Sequence, residues 1–285
     1  MLDSEAQRVL PVVEDLSTEN MTSDTPVVPA LGRQQMIVAA SSAGIGFACA
    51  QSLVREGVHV VINGRDPQRL EAAATVLQSH STVTVQTVVG DFADPATRAA
   101  LVASCSEPDI LVTNNGGPPP GQFQQWGRDE WIAAVDANML APLLLIRDVI
   151  DGMVARRFGR IVNITSAMVT APHAAMGLSS AARAGLTSVS KGLSREVASA
   201  NVTLNNLLPE RIDTGRQRQM AELAVAIKGI TLEEAYAEIA ATIAAGRLGR
   251  PDEVGDACAF LCSAQAGYIS GQNLHLDGGS YPGLL

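Results

Sequence analysis

The chain has 285 residues, 47% apolar and 17% charged, with 29 acidic against 20 basic side chains and a formal net charge of −9. That composition supplies a substantial core, so disorder and coiled coil are excluded as descriptions of the whole. The acidic balance speaks against nucleic acid and anionic membrane surfaces as partners, since both reward basic patches.

Residues 1–31 carry Asp3, Glu5, Glu14, Asp15, Glu19 and Asp24 against one base, Arg8. With a Ser/Thr/Asn/Asp/Pro-rich stretch from Ser17 to Pro29, they are expected to form an acidic, disordered extension. From Arg33 onward, short apolar strands alternate with amphipathic helices. The pattern predicts strand at Met36–Ala40, helix at Ile45–Glu56 and strand at His59–Asn63. Asp66 is expected to cap a helix with Pro67 in its first turn and Leu70, Ala73, Ala74 and Leu77 on one face. Strand Val83–Val89, a helix opening at Asp94-Pro95 and strand Ile110–Thr113 follow. A long helix is expected over about Glu130–Ala155, then strand Arg160–Ile164, helix Ser179–Ala198 and strand Thr203–Leu207. Thr231 and Glu234 have capping-box spacing, Pro251 opens another helix, and Asn273–Leu276 is the last strand.

Repeated β-α units of this kind predict a single α/β domain over residues 32–285, a doubly wound, Rossmann-type parallel sheet covered on both faces. The four cysteines, Cys49, Cys105, Cys258 and Cys262, have neither Cys-x-x-Cys nor zinc spacing; Cys258 and Cys262 read as one buried helix face. No metal site is expected. No apolar stretch reaches about 18 residues without a break, and the start lacks the basic region of a signal peptide, so a soluble, cytoplasmic protein is expected.

Between the first strand and helix, the run from Ala39 to Gly46 contains Ser42, Gly44, Ile45 and Gly46. A Gly-rich turn at this place lets backbone N–H groups and a helix N-terminus approach a pyrophosphate. The segment resembles the Thr-Gly-x-x-x-Gly-x-Gly fingerprint of the short-chain dehydrogenase/reductase family, and further matches follow in order. Asp91, with Phe92 after it, resembles the acid that contacts adenine. Thr113, Asn114, Asn115 and Gly116 resemble the Asn-Asn-Ala-Gly turn under the cofactor. Asn138 matches the helix Asn that anchors a relay water, and Ser166 the catalytic Ser at a strand end. Pro209–Thr214, with Ile212 and Thr214, resembles the nicotinamide loop. The resemblance covers about residues 32–280 and implies a nicotinamide-dependent oxidoreductase, assembled as a homodimer or homotetramer on the helices holding Asn138 and Ser179.

At the end of the second strand the chain has Gly64-Arg65, where an NAD-binding chain would place a carboxylate for the ribose 2′-OH. A guanidinium suits a 2′-phosphate, so NADP(H) is expected over NAD(H). Two departures fall in the same region. Ala40 stands where the family has Gly, which costs about 1 kcal/mol or more if that residue needs φ > 0. Glu210 replaces the Gly after Pro209.

The larger departure is catalytic. The family's Tyr lies thirteen residues after its Ser and its Lys four further; counting from Ser166 gives Ser179 and Arg183. A Ser hydroxyl is a far weaker acid than a phenol, and a guanidinium does not relay a proton as Lys does. Ser166 and Arg183 are therefore expected to clamp a carbonyl oxygen, with the proton coming from water through Ser179 or the Asn138 relay, or from His173. Two readings stay open. One is an NADP(H)-dependent reductase of a carbonyl, a 3-oxoacyl-like or an enoyl substrate. The other is a dehydratase, lyase, cyclase or catalytically silent binding protein on the same fold. The segment of about residues 215–245 corresponds to a substrate lid, and its apolar content favours an apolar or acyl-type small molecule, though helix packing would explain it equally.

Overall fold

The computed structural model describes residues 34–79 and 82–284. The acidic extension expected over residues 1–31 lies outside the described residues. Seven parallel strands form one sheet in the order β3-β2-β1-β4-β5-β6-β7: β1 Gln35–Val38, β2 His59–Gly64, β3 Val85–Val89, β4 Ile110–Thr113, β5 Gly159–Ile164, β6 Val202–Pro209 and β7 Asn273–Leu276. The strand order reverses between β1 and β4, which opens a crevice at the carboxyl ends of those two strands. On the two faces lie α1 Gly44–Arg55, α2 Pro67–Ser79, α3 Pro95–Ser104, α5 Ala141–Arg156, α6 Gly177–Val197 and α9 Pro251–Cys262, while α4 Arg128–Val135 packs on α6, and α7 Gly215–Lys228 and α8 Leu232–Ala241 pack on each other.

Alternation along β1 divides the core. Met36 and Val38 face one layer with Leu53, Leu70, Val254 and Leu261, whereas Ile37 and Ala39 face the other with Leu101, Leu145 and Met153. Cys258 and Cys262 lie on one face of α9, with Cys49 of α1 beside them in the first layer. Hydrogen bonds with the Cys262 and Cys49 thiols, and after them burial, hold the Cys258 proton on well beyond the ordinary thiol range, so this is inert packing. Gly255 lets α9 approach α1 closely, since a Cβ there would lie 2.5 Å from the Ala48 carbonyl oxygen.

The caps expected from sequence are present. Asp66 accepts from the backbone N–H of Gln68 and Arg69, Asp94 caps α3, and Thr231 and Glu234 form a capping box. The long helix expected over Glu130–Ala155 is interrupted, because Asp136–Leu140 form a π turn between α4 and α5. A π turn widens the helix locally without breaking the chain's helical course, and such turns cluster at functional sites.

One polar feature crosses the sheet. Thr113 donates to Asn163 at 2.6 Å, Asn163 to Asn206 at 3.0 Å and Asn206 to Asn273 at 2.8 Å, each pair being register partners on adjacent strands. This ladder, buried from Thr113 to Asn206 and exposed at Asn273, ties β4 to β7. Among the described residues, no helix is long and apolar enough to cross a membrane, and no group of three or more His, Cys, Asp or Glu could hold a metal ion.

Candidate active site

The turn after β1 is held by two asparagines. The Ala40 N–H donates to Asn63 Oδ1 at 3.2 Å, and its carbonyl accepts from Asn114 Nδ2 at 2.9 Å. Asn63 also donates to Val88 O and Gly90 O, so one asparagine joins the turn, β2 and β3. Ala40 has φ 46°, the left-handed region in which its methyl costs energy. Gly46 cannot carry a side chain here: a Cβ would lie 2.5 Å from Ala40 O and 2.7 Å from Asn114 Nδ2. Gly44, at φ 59°, lies against Thr214, whose Cγ2 would be 3.6 Å from an added Cβ. The Gly-rich turn and the loop after β6 therefore meet. Thr214 caps α7, and Ile212 is buried beneath the same loop.

Beside this turn is a cavity of about 350 Å³ lined by Ala40, Ser42, Gly64, Arg65, Arg69 and Gly116, among others. Its chemistry suits a phosphorylated ribose. Arg65 and Arg69 present two guanidiniums, while the nearby Asp66 carboxylate is committed to its cap. Arg65 is 3.8 Å from Asp91, an exposed ion pair that an anionic ligand could replace at little cost. Gly116 has open space where a Cβ would point. Phe92 has its side chain in the second core layer and its carbonyl bonded to Arg98, so its N–H is what remains for a ligand. Arg69 was not anticipated from sequence; it reads as a solvent-facing helix residue until α2 is placed.

Ser166 opens a tight turn after β5, its Oγ accepting the Met168 N–H at 3.2 Å. Ser179 and Arg183 lie one turn apart at the start of α6, and both are buried. Arg183 donates from Nη1 to Ile164 O at 2.8 Å, from Nη2 to Asn115 O at 2.8 Å and from Nε to Ser179 Oγ at 3.3 Å. One N–H on each terminal nitrogen is left over, and among the described residues no carboxylate pairs with this guanidinium. Burial pulls Arg183 down to about 10, so at neutral pH it remains a buried cation.

Asn115 has a second role that sequence did not suggest. Its Nδ2 donates to Ala137 O in the π turn at 2.7 Å, so Arg183, Asn115 and Ala137 form a continuous hydrogen-bonded chain. Asn138 is buried in that turn, with Nδ2 on Ala134 O and with Oδ1 unpartnered. His173 is exposed, and its Nδ1 accepts the Ala175 N–H at 3.2 Å, which makes it the cap of a short turn.

The loop of Gly116–Gly121 runs over this group. A Cβ on Gly117 would lie 3.4 Å from Ser179 Oγ and 3.8 Å from Arg183 Nη2. Gly121 N donates to Ala175 O at 3.0 Å, and the Trp126 ring packs where side chains on Gly121 and Gly177 would be. Arg216, in the first turn of α7, donates to Pro118 O at 2.8 Å and links the lid segment to the proline loop. Within the lid, Leu223 is 47% and Ile227 75% exposed, so helix packing alone does not account for its apolar side chains.

Residues 39–281 match the family model described as enoyl-(acyl carrier protein) reductase. The NADPH-dependent reductase BacG of Bacillus subtilis is 31% identical over 255 residues, covering 88% of this chain and 98% of that protein. The 3-oxoacyl-[acyl-carrier-protein] reductase FabG of Salmonella typhimurium is 32% identical over 249 residues, covering 86% and 96%. Among solved structures, the L-sorbose reductase of Gluconobacter frateurii complexed with NADPH and L-sorbose superposes with a TM-score of 0.85 at 28% identity, covering 90% of this chain and 100% of that one. The sheet order, the Gly-rich turn at its crossover and these likenesses over nearly the whole chain lead to one assignment: the chain belongs to the short-chain dehydrogenase/reductase family.

Proposed function

We propose that this protein is an NADPH-dependent reductase of a carbonyl or enoyl compound whose proton delivery differs from the family's. The cavity at the sheet's crossover carries the reading, since two guanidiniums and no uncommitted carboxylate face the place of a ribose 2′-phosphate. Arg65 and Arg69 would grip that phosphate, Ser42 and the Gly44–Gly46 turn the pyrophosphate, Asp91 and the Phe92 N–H the adenine, and Asn114, Gly116, Ile212 and Thr214 the nicotinamide end. The bound cofactor supplies the hydride.

The rest falls to the chain's own side chains. Ser166 donates a hydrogen bond to the substrate oxygen. Arg183 supplies a fixed positive charge below it, worth most in a site shielded from water. Ser179, bonded to Arg183 Nε, keeps its own hydroxyl proton free to point at the substrate. Asn115 joins the π turn to Arg183, its side chain donating to Ala137 O and its own carbonyl accepting from Arg183 Nη2. His173 caps a short turn through Nδ1, which leaves its exposed Nε2 as the ring's donor. Loss of a well-placed acid typically costs 10²–10⁴-fold, which leaves a slow carbonyl reductase; an enoyl substrate, protonated at carbon, depends on it less.

The exposed Leu223 and Ile227 on the lid favour an apolar or acyl-type substrate. Ile132, Leu140 and Val189, exposed on α4, the π turn and α6, favour a homodimer or homotetramer built on that face. The test is NADPH consumption with 3-oxoacyl thioesters, simple ketones and enones. At least one class is expected to be reduced, and ketone reduction is expected to rise when Ser179→Tyr and Arg183→Lys are combined. Tight NADPH binding with no turnover of any class would instead support a non-redox or silent role.

A further inference from the structure

In the segment that follows β3, Gly90–Ala93, every carbonyl is taken by a fixed donor. Asn63 Nδ2, from the end of β2, donates to Gly90 O at 3.0 Å, and the Asp94 N–H donates to Asp91 O at 2.8 Å. The other two carbonyls, Phe92 O and Ala93 O, both accept from Arg98 Nη1, at 3.0 and 2.7 Å. Arg98 lies one turn into α3 and is 7% exposed. Buried cations ordinarily sit beside a carboxylate. Among the described residues, this one is bonded instead to two neighbouring carbonyls of a loop.

Peptide planarity turns those two bonds into a hold on Asp91. The Phe92 carbonyl shares its plane with the Ala93 N–H, and that N–H donates to Asp91 Oδ1 at 3.0 Å. The Ala93 carbonyl shares its plane with the Asp94 N–H, which donates to Asp91 O. The Asp91 carbonyl in turn shares its plane with the Phe92 N–H. Fixing Phe92 O and Ala93 O therefore fixes both the Asp91 carboxylate and the direction of the Phe92 N–H. A guanidinium suits this task, because one terminal nitrogen carries two N–H groups in a rigid plane.

The first turn of α3 and the core hold the same segment by packing. Gly90 is at φ 144°, and a Cβ there would collide with Thr97 Oγ1. The Phe92 side chain is anchored in the second core layer. Asp91 Oδ2 stays outside this network and lies 3.8 Å from Arg65, on the side of the cavity beside the Gly-rich turn.

We propose that Arg98 is a positioning residue of the adenine subsite. It presents the Asp91 carboxylate, an acceptor, and the Phe92 N–H, a donor, to the base as one set. That set suits the amino group and ring nitrogen of adenine, and it rejects a base with a carbonyl and a ring N–H in their places. The base preference rests on the reading of Asp91 and Phe92 given above; the hold on the loop does not.

The experiment titrates the full chain with NADPH and with its hypoxanthine analogue, in which a ring carbonyl replaces the adenine amino group. Hydrogen exchange of the Ala93 and Asp94 amides is measured alongside, without nucleotide. Wild type is expected to favour NADPH by roughly tenfold or more, the worth of hydrogen bonds that involve a charged group. Arg98→Met, similar in length but unable to donate, should cut that preference roughly fivefold, the worth of one hydrogen bond, and speed exchange at both amides by a similar factor. Arg98→Lys keeps an ammonium for one of the two carbonyls and should fall between. Leu101→Ala removes core packing from the same helix; it should lower Tm and leave the preference unchanged, as loss of a merely structural residue would. A preference that survives in Arg98→Met overturns the proposal, and NADPH binding by that variant leaves the reductase reading standing. Wild type that binds neither nucleotide sinks the reductase reading; faster exchange in Arg98→Met then still shows that Arg98 holds the loop.

Discussion

Ala40 offers a sign test of the site's backbone. It sits at φ 46°, held by Asn63 and Asn114 and by the close approach of Gly46, so it cannot relax into an extended conformation. A left-handed L-residue costs about 1–2 kcal/mol. Replacing it with glycine removes that cost but returns roughly 0.4–1 kcal/mol of freedom to the unfolded chain. Ala40→Gly should therefore stabilise by about 0.5–1 kcal/mol, or ~1–3 °C in Tm for a domain of this size. Ala39→Gly is the control. Ala39 is fully buried in the second core layer and outside the left-handed region, so the same change there should destabilise by about 1 kcal/mol. Ala40→Val should be worse than wild type, because a branched side chain tolerates positive φ least. Thermal denaturation of the three variants, without and with NADPH, gives the answer. Destabilisation by Ala40→Gly, or equal effects at 39 and 40, would refute the strain argument.

Other outcomes follow from the same geometry. Gly46→Ala places a methyl against Ala40 O and Asn114 Nδ2; denaturation and NADPH titration should show a loss of about 1–3 kcal/mol and much weaker binding. Arg65→Ala with Arg69→Ala should raise the NADPH Kd by tenfold or more, roughly the worth of charge-assisted bonds to phosphate, and leave the NADH Kd nearly unchanged. Arg183→Met removes the cation yet leaves Ile164 O and Asn115 O without donors, so both kcat and stability should fall, the latter by roughly 1–3 kcal/mol in denaturant melts. Glu253 accepts from Arg247 and from the Arg250 N–H, which hold its carboxyl down at about 2. Its folded value is depressed, so its contribution is full above the ordinary Glu range and is lost as pH falls toward 2. The stability difference between wild type and Glu253→Gln should shrink accordingly in melts between pH 6 and 2.5.

Much of the architecture was legible because it is local. β4 and β7 begin and end at the expected residues: β4 is a fully buried β-branched and apolar run, and β7 an edge strand that alternates polar and apolar side chains. The caps at Asp66, Asp94 and Thr231 follow from side chains bonding to the next two or three amides. The question posed by Ala40 could be framed from sequence, but its answer is a torsion angle. Tertiary partners were out of reach. Arg69 gains meaning only when α2 is laid beside the Gly-rich turn, and Asn115 only when the π turn exposes Ala137 O. Thr170 and His275 are 105 residues apart and meet because β5 and β7 both flank β6. That His173 Nδ1 accepts the Ala175 amide is likewise a contact the sequence does not show.

The most direct test of the account is a titration of the protein with NADPH and with NADH, followed by tryptophan fluorescence. The chain has two tryptophans, Trp126 packed on Gly121 and Gly177 beside the site and Trp131 on α4, edge-on to it at 5.9 Å. Saturable quenching is expected, with NADPH binding at least about tenfold tighter than NADH because of the two guanidiniums at the end of β2. Absence of binding by either nucleotide, or equal affinity for both, would contradict it.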